Sequence, residues 1–179
     1  MLYSIEVYFD QHTEELITNQ PLHIEDSTIQ PIHLQWPTRP HITLALYSEI
    51  DLEQSDQLLR QIASSISPFC VTLYSIQHFS DRNEIFLSPC TNKKLYQLQQ
   101  SLYQMFIHYE LFNKDAYQPE HWIPHCTLSY PDRNQTSDIF QSFPHNHGEL
   151  KKITALCSEI GISEVNFPSH EIKSYTLHS

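Results

Sequence analysis

Glycine is scarce in this sequence, which contains 2 glycines in 179 residues. Loops that cradle phosphate groups with backbone amides need several glycines at fixed spacing. The scarcity therefore excludes a dinucleotide-binding fingerprint and a P-loop. Long apolar runs are also missing, so we expect no membrane-spanning helix and no membrane partner. The N-terminal residues alternate in polarity and include Glu6, which does not fit a signal peptide.

Basic residues are few as well, with 10 Lys and Arg against 21 Asp and Glu and a formal net charge of −11. Tight binding of duplex DNA or long RNA requires a basic surface that neutralises phosphates. The charge balance therefore argues against duplex DNA as a partner. If the protein acts on nucleic acid, we expect its substrate to be a small nucleotide or an RNA end.

The four cysteines are scattered along the chain and form no Cys-x-x-Cys pair. This spacing is typical of reduced thiols, so we expect a cytoplasmic protein. Hydrophobic residues make up 40% of the sequence, and a chain of this length can bury a core without disulfides or metal. We therefore expect one domain spanning residues 1–179, acting as a monomer.

Strand-like and helix-like patterns alternate along the chain. The predicted strands are 2–9, 41–47, 69–79, 85–88, 122–130, 153–167 and 172–177. Helices are predicted at 51–65 and 92–109, with shorter ones after Asp10 and at 138–143. Residues 21–35 are ambiguous and are assigned a helix remnant, a loop and a strand. This order predicts parallel and antiparallel strand pairings in an α+β or mixed α/β sandwich, with sheets backed by helices.

One five-residue pattern, Pro-His-x-Thr-Leu, occurs twice. Its copies are Pro40-His41-Ile42-Thr43-Leu44 and Pro124-His125-Cys126-Thr127-Leu128. Each copy lies in a predicted strand, where residues two apart point to the same face. The His and Thr of each copy therefore share one face, while the residues between and after them face the core.

Two His-x-Thr copies indicate phosphodiester chemistry. If the two strands are neighbours or pseudo-symmetric mates, then His41, Thr43, His125 and Thr127 converge on one cleft. Two imidazoles can act as general acid and general base near neutral pH. Two hydroxyls can donate hydrogen bonds to the non-bridging oxygens of a phosphate. Such a site needs no metal and no cofactor.

Zinc binding is the less favoured interpretation of the histidines. His121, His125, His145 and His147 are candidate ligands. However, Pro124 prevents a helical His-x-x-x-His arrangement, and no acidic ligand pattern accompanies them. A polar loop accounts for the last two histidines, so we predict no metal site.

The twin motifs resemble those of the 2H phosphoesterase superfamily, which includes RNA 2',3'-cyclic phosphodiesterases and proteins named 2'-5' RNA ligases. The resemblance to a bacterial branch rests on residues 3–10, 39–44 and 122–128. It implies a bilobal, pseudo-symmetric fold with antiparallel-rich sheets, in which two interleaved lobes each supply one His-x-Thr to a central groove. Pro21 falls where similar proteins carry a longer first helix, so we expect a different groove rim.

The resemblance also implies a cyclic phosphodiesterase acting on a cyclic phosphate or on a 2'-5' or 3'-5' linkage of a small nucleotide or RNA end. One His would activate water, or a ribose hydroxyl in the reverse ligation, and the other would protonate the leaving oxygen. The pseudo-symmetry leaves open which His is the acid. Three alternatives remain: a hydrolase of a cyclic oligonucleotide signal, a metal-dependent hydrolase, and a non-catalytic nucleotide-binding protein with the same fold.

The two-residue periodicity of the strands predicts four further substrate-binding residues. Arg39 is in phase with the first motif and is predicted to contact phosphate, with a surface ion pair as the alternative. Tyr8 and Phe86 are candidates for stacking on a base, although a core role is equally expected for Phe86. Ser129 is in phase with the second motif. Trp122 is predicted to brace that motif rather than to contact substrate.

Overall fold

The strands of the computed structural model form a single sheet. The structure describes residues 1–19, 38–79, 81–130, 152–166 and 169–178. The strands in this part of the chain are β1 (Tyr3–Phe9), β2 (His41–Tyr47), β3 (Phe69–Phe79), β4 (Glu84–Pro89), β5 (Cys126–Ser129), β6 (Ile153–Glu164) and β7 (His170–Thr176). Their order is β2-β1-β6-β3-β4-β5, and β7 pairs with β6.

Helices connect several of these strands. They are α1 (Gln11–Thr18), α2 (Leu52–Ser65), α3 (Lys93–Met105) and α4 (Lys114–Tyr117). Each of the three longer helices begins at a polar side chain that accepts a hydrogen bond from an amide in the first turn. These N-caps are Asp10, Asp51 and Asn92. None of the helices that the structure describes is long and apolar enough to cross a membrane.

Every strand pairing among the described residues is antiparallel. The α+β class predicted from the sequence is confirmed, but the expected parallel pairings are wrong. The reason is the position of β6, which comes late in the chain and lies antiparallel to both β1 and β3. Its insertion between them removes the need for a parallel crossover.

The long strand β6 belongs to two four-stranded groups. Its residues Ile153 to Cys157 pair with β3 and Glu159 to Glu164 pair with β7. On the opposite edge, Cys157 and Glu159 to Glu164 pair with β1. One group is therefore β2-β1-β6-β7 and the other is β6-β3-β4-β5. In each group the strand with a His-x-Thr motif lies at an end, next to β1 or β4.

The two ends of the sheet approach each other. Strands β2 and β5 stand at opposite ends of the strand order, yet they contact each other. The indole Nε1 of Trp122, which precedes β5, donates a hydrogen bond to the carbonyl oxygen of Thr43 in β2 at 3.0 Å. The sheet is therefore strongly curled, and the curl brings the two motifs to one cleft.

Strand β1 is buried on both faces, whereas sequence parity predicts one buried face. Ser4, Glu6 and Tyr8 are 2%, 4% and 2% exposed. The pairings with β2 and β6 satisfy the edges of β1, and its polar face, with Ser4 and Glu6, lines the inside of the curled sheet. Polar side chains are thereby enclosed inside the protein and need partners there.

The remaining differences from the predicted elements are local. The helix predicted at 92–109 ends at Met105, and the strand predicted at 122–130 is limited to Cys126–Ser129. Helix α4 is not predicted by the sequence pattern. The predicted helix at 138–143 and the ambiguous segment 21–35 lie outside the described residues.

Candidate active site

Both copies of the repeated motif line one cleft of about 300 Å³. His41 and Thr43 reach it from β2, Thr127 reaches it from β5, and His125 lies directly before β5. The motif residues that alternate with them are at most 5% exposed: Ile42, Leu44, Cys126 and Leu128. The structure thus brings the four predicted catalytic residues together in one cleft. The alternate residues of each motif point away from the cleft and into the core.

The backbone fixes the orientation of both imidazoles. Nδ1 of His41 lies 2.7 Å from the carbonyl oxygen of Arg39, and Nδ1 of His125 lies 2.7 Å from that of Ile123. Because a carbonyl oxygen can only accept, each Nδ1 carries a proton and donates it. Nε2 is therefore the atom through which each ring meets a ligand in the cleft.

A buried carboxylate faces each of these Nε2 atoms. Glu6 Oε1 lies 3.5 Å from Nε2 of His41, and Glu84 Oε1 lies 3.4 Å from Nε2 of His125. The two glutamates come from β1 and β4, the strands that pair with β2 and β5. Both are at most 4% exposed and both line the cleft. Each half of the site therefore contains a His, a Thr and a Glu.

Glu6 is surrounded by hydroxyl groups. It accepts hydrogen bonds from Ser4 at 2.5 Å, Tyr8 at 2.7 Å and Ser163 at 3.0 Å. Burial, and then the charge of Glu6, raise the pKa of Tyr8, so its hydroxyl stays protonated and donates. These three hydroxyls satisfy a carboxylate that is almost fully removed from water.

Glu84 takes its partners from the second motif itself. It accepts a hydrogen bond from Thr127 Oγ1 at 2.5 Å and from the Tyr130 hydroxyl at 3.3 Å. Burial alone would raise the pKa of Glu84, but His125 and Thr127 outweigh it and hold that pKa below its ordinary value. Thr43, by contrast, has no hydrogen-bond partner for its hydroxyl among the described residues. The two halves are therefore similar in composition but not in hydrogen bonding.

The family model of the 2'-5' RNA ligase superfamily matches residues 11–165, which contain both motifs. The chain belongs to this superfamily. The assignment to the 2H phosphoesterases that the twin motifs suggested is thereby confirmed, and so is the fold class that it implied.

Solved structures of 2H phosphoesterases share the fold. Escherichia coli LigT complexed with 3'-AMP has 15% identity and a TM-score of 0.62, covering 99% of this chain and 98% of that chain. TT0787 of Thermus thermophilus has 13% identity and a TM-score of 0.61 at the same coverage. Usb1 of Kluyveromyces marxianus has 12% identity, a TM-score of 0.51 and coverage of 98% and 97%. No curated protein sequence matches this chain significantly.

Arg39 lies outside the cleft lining, contrary to its predicted phosphate contact. Its guanidinium is held by carboxylates from three elements: Glu14 at 2.8 Å, Glu159 at 3.1 Å and Glu171 at 3.4 Å. It also packs over the Tyr8 ring, 4.5 Å from its centroid. The ion-pair alternative therefore describes Arg39, because its donors are already taken by carboxylates.

The other three predicted substrate-binding residues are buried, so their predicted contacts need correction. Tyr8 and Phe86 are each 2% exposed, which leaves no ring face for a base, and Ser129 is fully buried. Phe86 instead stacks on Phe79, with centroids 4.3 Å apart, and lies 5.3 Å from the His125 ring. Tyr8 similarly lies edge-on to the His41 ring, with centroids 6.0 Å apart. Each of these two aromatic side chains thus packs against one of the cleft imidazoles.

Sequence reasoning missed the two glutamates and most of the cleft rim. Glu6-Val7-Tyr8 and Glu84-Ile85-Phe86 form a second internal repeat, Glu-aliphatic-aromatic, on the strands beside the motifs. The triplets lie 78 residues apart and the His-x-Thr copies 84, so a comparison of the two halves that allows a gap would have found it. The rim residues Arg82, Phe112 and Tyr130 carry no comparable pattern, although they line the cleft.

The described residues offer no arrangement of metal ligands. They contain no group of three or more His, Cys, Asp or Glu side chains placed to hold an ion. Of the histidines in the zinc hypothesis, His121 is exposed, and His145 and His147 lie outside the described residues. The hydrogen-bond donors among the described lining residues instead include two imidazoles, hydroxyls, the guanidinium of Arg82 and the amides of Asn113 and Asn166.

Proposed function

We propose that this 2H phosphoesterase is a metal-independent phosphodiesterase that hydrolyses a cyclic phosphate, or a 2'-5' or 3'-5' linkage, in a small nucleotide or RNA end. One observation supports the proposal most directly. The Nε2 atoms of His41 and His125 are both presented to one cleft, with their tautomers set by backbone carbonyls. Two such groups are what an acid–base mechanism requires.

The proposed reaction uses the four motif residues in two roles. One imidazole takes a proton from water, whose oxygen attacks the phosphorus atom. The other imidazole gives a proton to the ribose oxygen as its bond to phosphorus breaks. Thr43 and Thr127 donate hydrogen bonds to the non-bridging oxygens as their negative charge increases. A cyclic phosphate then becomes a phosphate monoester and a free hydroxyl. In ligation, a ribose hydroxyl would replace water as the nucleophile, and its oxygen would bond to phosphorus as the cyclic ester bond breaks.

The size and charge of the cleft favour a short substrate. Its volume is about 300 Å³, and Arg82 is the one Lys or Arg among the described residues that line it. With a net charge of −11 as well, the protein offers few basic groups that could neutralise the phosphates of a long nucleic acid. We expect the protein to act as a cytoplasmic monomer without a cofactor.

The proposal is tested by turnover of a panel of nucleoside 2',3'-cyclic phosphates, short 2'-5'-linked oligonucleotides and cyclic dinucleotides in the presence of a chelator. We expect hydrolysis of at least one class that chelation leaves unchanged. The variants His41→Ala and His125→Ala should lose it, and His108→Ala, at an exposed histidine outside the cleft, should keep it. Activity that disappears with chelator and returns with a divalent ion would establish the metal-dependent alternative.

A further inference from the structure

The two buried glutamates lie beside the groups that carry out the proposed reaction. Glu84 Oε1 accepts the hydrogen bond of Thr127 at 2.5 Å and lies 3.4 Å from Nε2 of His125. The proposed reaction assigns the Thr127 hydroxyl to a non-bridging phosphate oxygen and Nε2 of His125 to proton transfer. In the other half, Glu6 Oε1 lies 3.5 Å from Nε2 of His41. In the free protein, each motif thus already has an anionic group beside its reactive nitrogen.

An orienting role does not explain these carboxylates. A carboxylate that orients a catalytic imidazole binds Nδ1 and leaves Nε2 for the substrate. Here backbone carbonyls hold both Nδ1 atoms at 2.7 Å, and the carboxylates stand on the reactive side of each ring. Glu6 and Glu84 therefore lie where a ligand of Nε2 would approach.

Their negative charge determines which ligands can approach. The Glu84 carboxyl is ionised at neutral pH, since His125 and Thr127 hold its pKa below the ordinary value despite burial. Glu6 accepts three hydroxyl hydrogen bonds, as an ionised carboxylate does. Repulsion between a buried carboxylate and an anion grows with each charge on that anion. Arg82 is the fixed cation among the described lining residues, and His41 and His125 face the two carboxylates. Tyr117 is a further titratable group near both glutamates, and Tyr130 is one near Glu84.

We propose that Glu6 and Glu84 select ligands by charge, admitting phosphodiesters with one negative charge and rejecting phosphate monoesters with two. The inference rests on the proposed function, because it assigns the phosphate to the two His-x-Thr motifs. It also gives the glutamates a place in turnover. Hydrolysis converts a singly charged diester into a monoester with nearly two charges, so the carboxylates expel the product and disfavour its rebinding.

The test compares two ligands of almost equal shape and different charge. A 2'-deoxynucleoside 3'-monophosphate carries about two negative charges at pH 8, because its second pKa is near 6, whereas its 3'-methyl phosphate ester carries one. Neither has the 2'-hydroxyl needed for cyclisation. Their dissociation constants are measured by calorimetry for the wild type and for Glu84→Gln, Glu6→Gln and Glu53→Gln. Glu53 is an exposed carboxylate on α2, so its variant controls for net charge alone.

We expect the wild type to bind the monoester at least about tenfold more weakly than the methyl ester, given the strength of repulsion at such distances. Glu84→Gln and Glu6→Gln should each tighten monoester binding about tenfold and change methyl ester binding much less. Glu53→Gln should match the wild type. Thermal unfolding of each variant shows whether it is folded. If one of the two cleft variants does not fold, the other is sufficient for the comparison with the wild type.

The ratio that decides the test is the dissociation constant of the monoester divided by that of the methyl ester. The inference is overturned if the wild type binds both ligands equally, or if this ratio is unchanged in both cleft variants. It is also overturned if the folded variants bind neither ligand. It is also overturned if Glu84→Gln reduces turnover strongly without changing the ratio, which would make Glu84 part of proton transfer. A ratio of the two dissociation constants that depends on the glutamates, without hydrolysis of any member of the substrate panel, would support charge selection and refute the proposed function. Hydrolysis together with a ratio that does not depend on the glutamates would support the proposed function and refute charge selection.

Discussion

The indole of Trp122 donates its Nε1 hydrogen to the carbonyl oxygen of Thr43 at 3.0 Å, and this bond joins the two motif segments directly. Trp122 stands three residues before the second histidine, whereas Thr43 belongs to the first motif. The sequence pattern predicts that Trp122 braces its own motif, and the structure shows it bound to the other one. The bond crosses from one end of the sheet to the other.

Removing this bond should destabilise the protein and disturb the cleft. Trp122→Phe keeps an aromatic ring but leaves the Thr43 carbonyl without its donor, which should cost about 1–3 kcal/mol of the free energy of unfolding. Urea denaturation measures the loss. The control is Tyr96→Leu, which removes the ring that packs edge-on against Trp122, with centroids 5.5 Å apart, and leaves the bond intact. Equal losses in both variants would show that ring packing, not the hydrogen bond, stabilises the contact.

Each cleft histidine should be needed for turnover on the cyclic substrate. His41→Ala and His125→Ala should each lower kcat by about 10²–10⁴-fold, the usual effect of a positioned acid or base. The fold should be retained, because both rings face the cleft rather than the core. Steady-state kinetics, with His108→Ala as the exposed control, measures the effect. Full activity of either cleft variant would contradict the twin-histidine mechanism.

The two threonines should differ in their effect on Glu84. Thr127→Val removes a hydrogen-bond donor that lowers the pKa of this carboxyl, so Glu84 should titrate at a higher pH. Thr43→Val should leave that titration unchanged. NMR of a protein carrying ¹³C in its glutamate side chains follows both cases. Identical titration curves for the two variants would mean that the Thr127 hydroxyl does not act on Glu84.

Acid should weaken the ion-pair cluster around Arg39. Burial alone would raise the pKa of Glu159, but Arg39 and Ser174 outweigh it and hold that pKa below the ordinary value. A carboxyl with a lowered folded-state pKa adds stability above its unfolded-state pKa of about 4.3 and loses that contribution as pH falls through the folded-state value.

The corresponding variant is Glu159→Gln, compared with Glu120→Gln at an exposed position. At pH 7 the wild type should be more stable than Glu159→Gln by about 1 kcal/mol, a modest amount because the cluster is partly solvated. The difference should shrink as pH falls below about 4. Urea unfolding from pH 7 to pH 3 measures it. A difference that stays constant over this range would argue against the ion pair.

The four motif residues could be predicted from the sequence because two-residue periodicity is local. His41 and Thr43 must share a face wherever the strand lies, and the same holds for His125 and Thr127. The repeat then indicates that the two faces meet. Even so, their convergence depends on the curl that brings β2 to β5, which no local pattern encodes.

Glu6 and Arg39 show why the rest could not be predicted. Parity places Glu6 on the same face as Tyr8, but only the curl of the sheet shows that this face is buried around the cleft. Arg39 has the predicted phase, yet α1, β6 and β7 supply its three carboxylates, and two of these come from far along the chain. Long-range partners decide the role of a charged side chain.

The sharing of β6 between the two strand groups limits how the cleft can move. Its backbone pairs with β3 at one end and with β1 and β7 at the other, so a hinge between the groups would break ladder hydrogen bonds. The two motifs thus belong to one continuous hydrogen-bonded sheet, so the distance between them is set before a ligand binds. Preorganisation of this kind lowers the reorganisation cost of the reaction. Amide protons along the whole of β6 should therefore exchange slowly and as one cooperative unit.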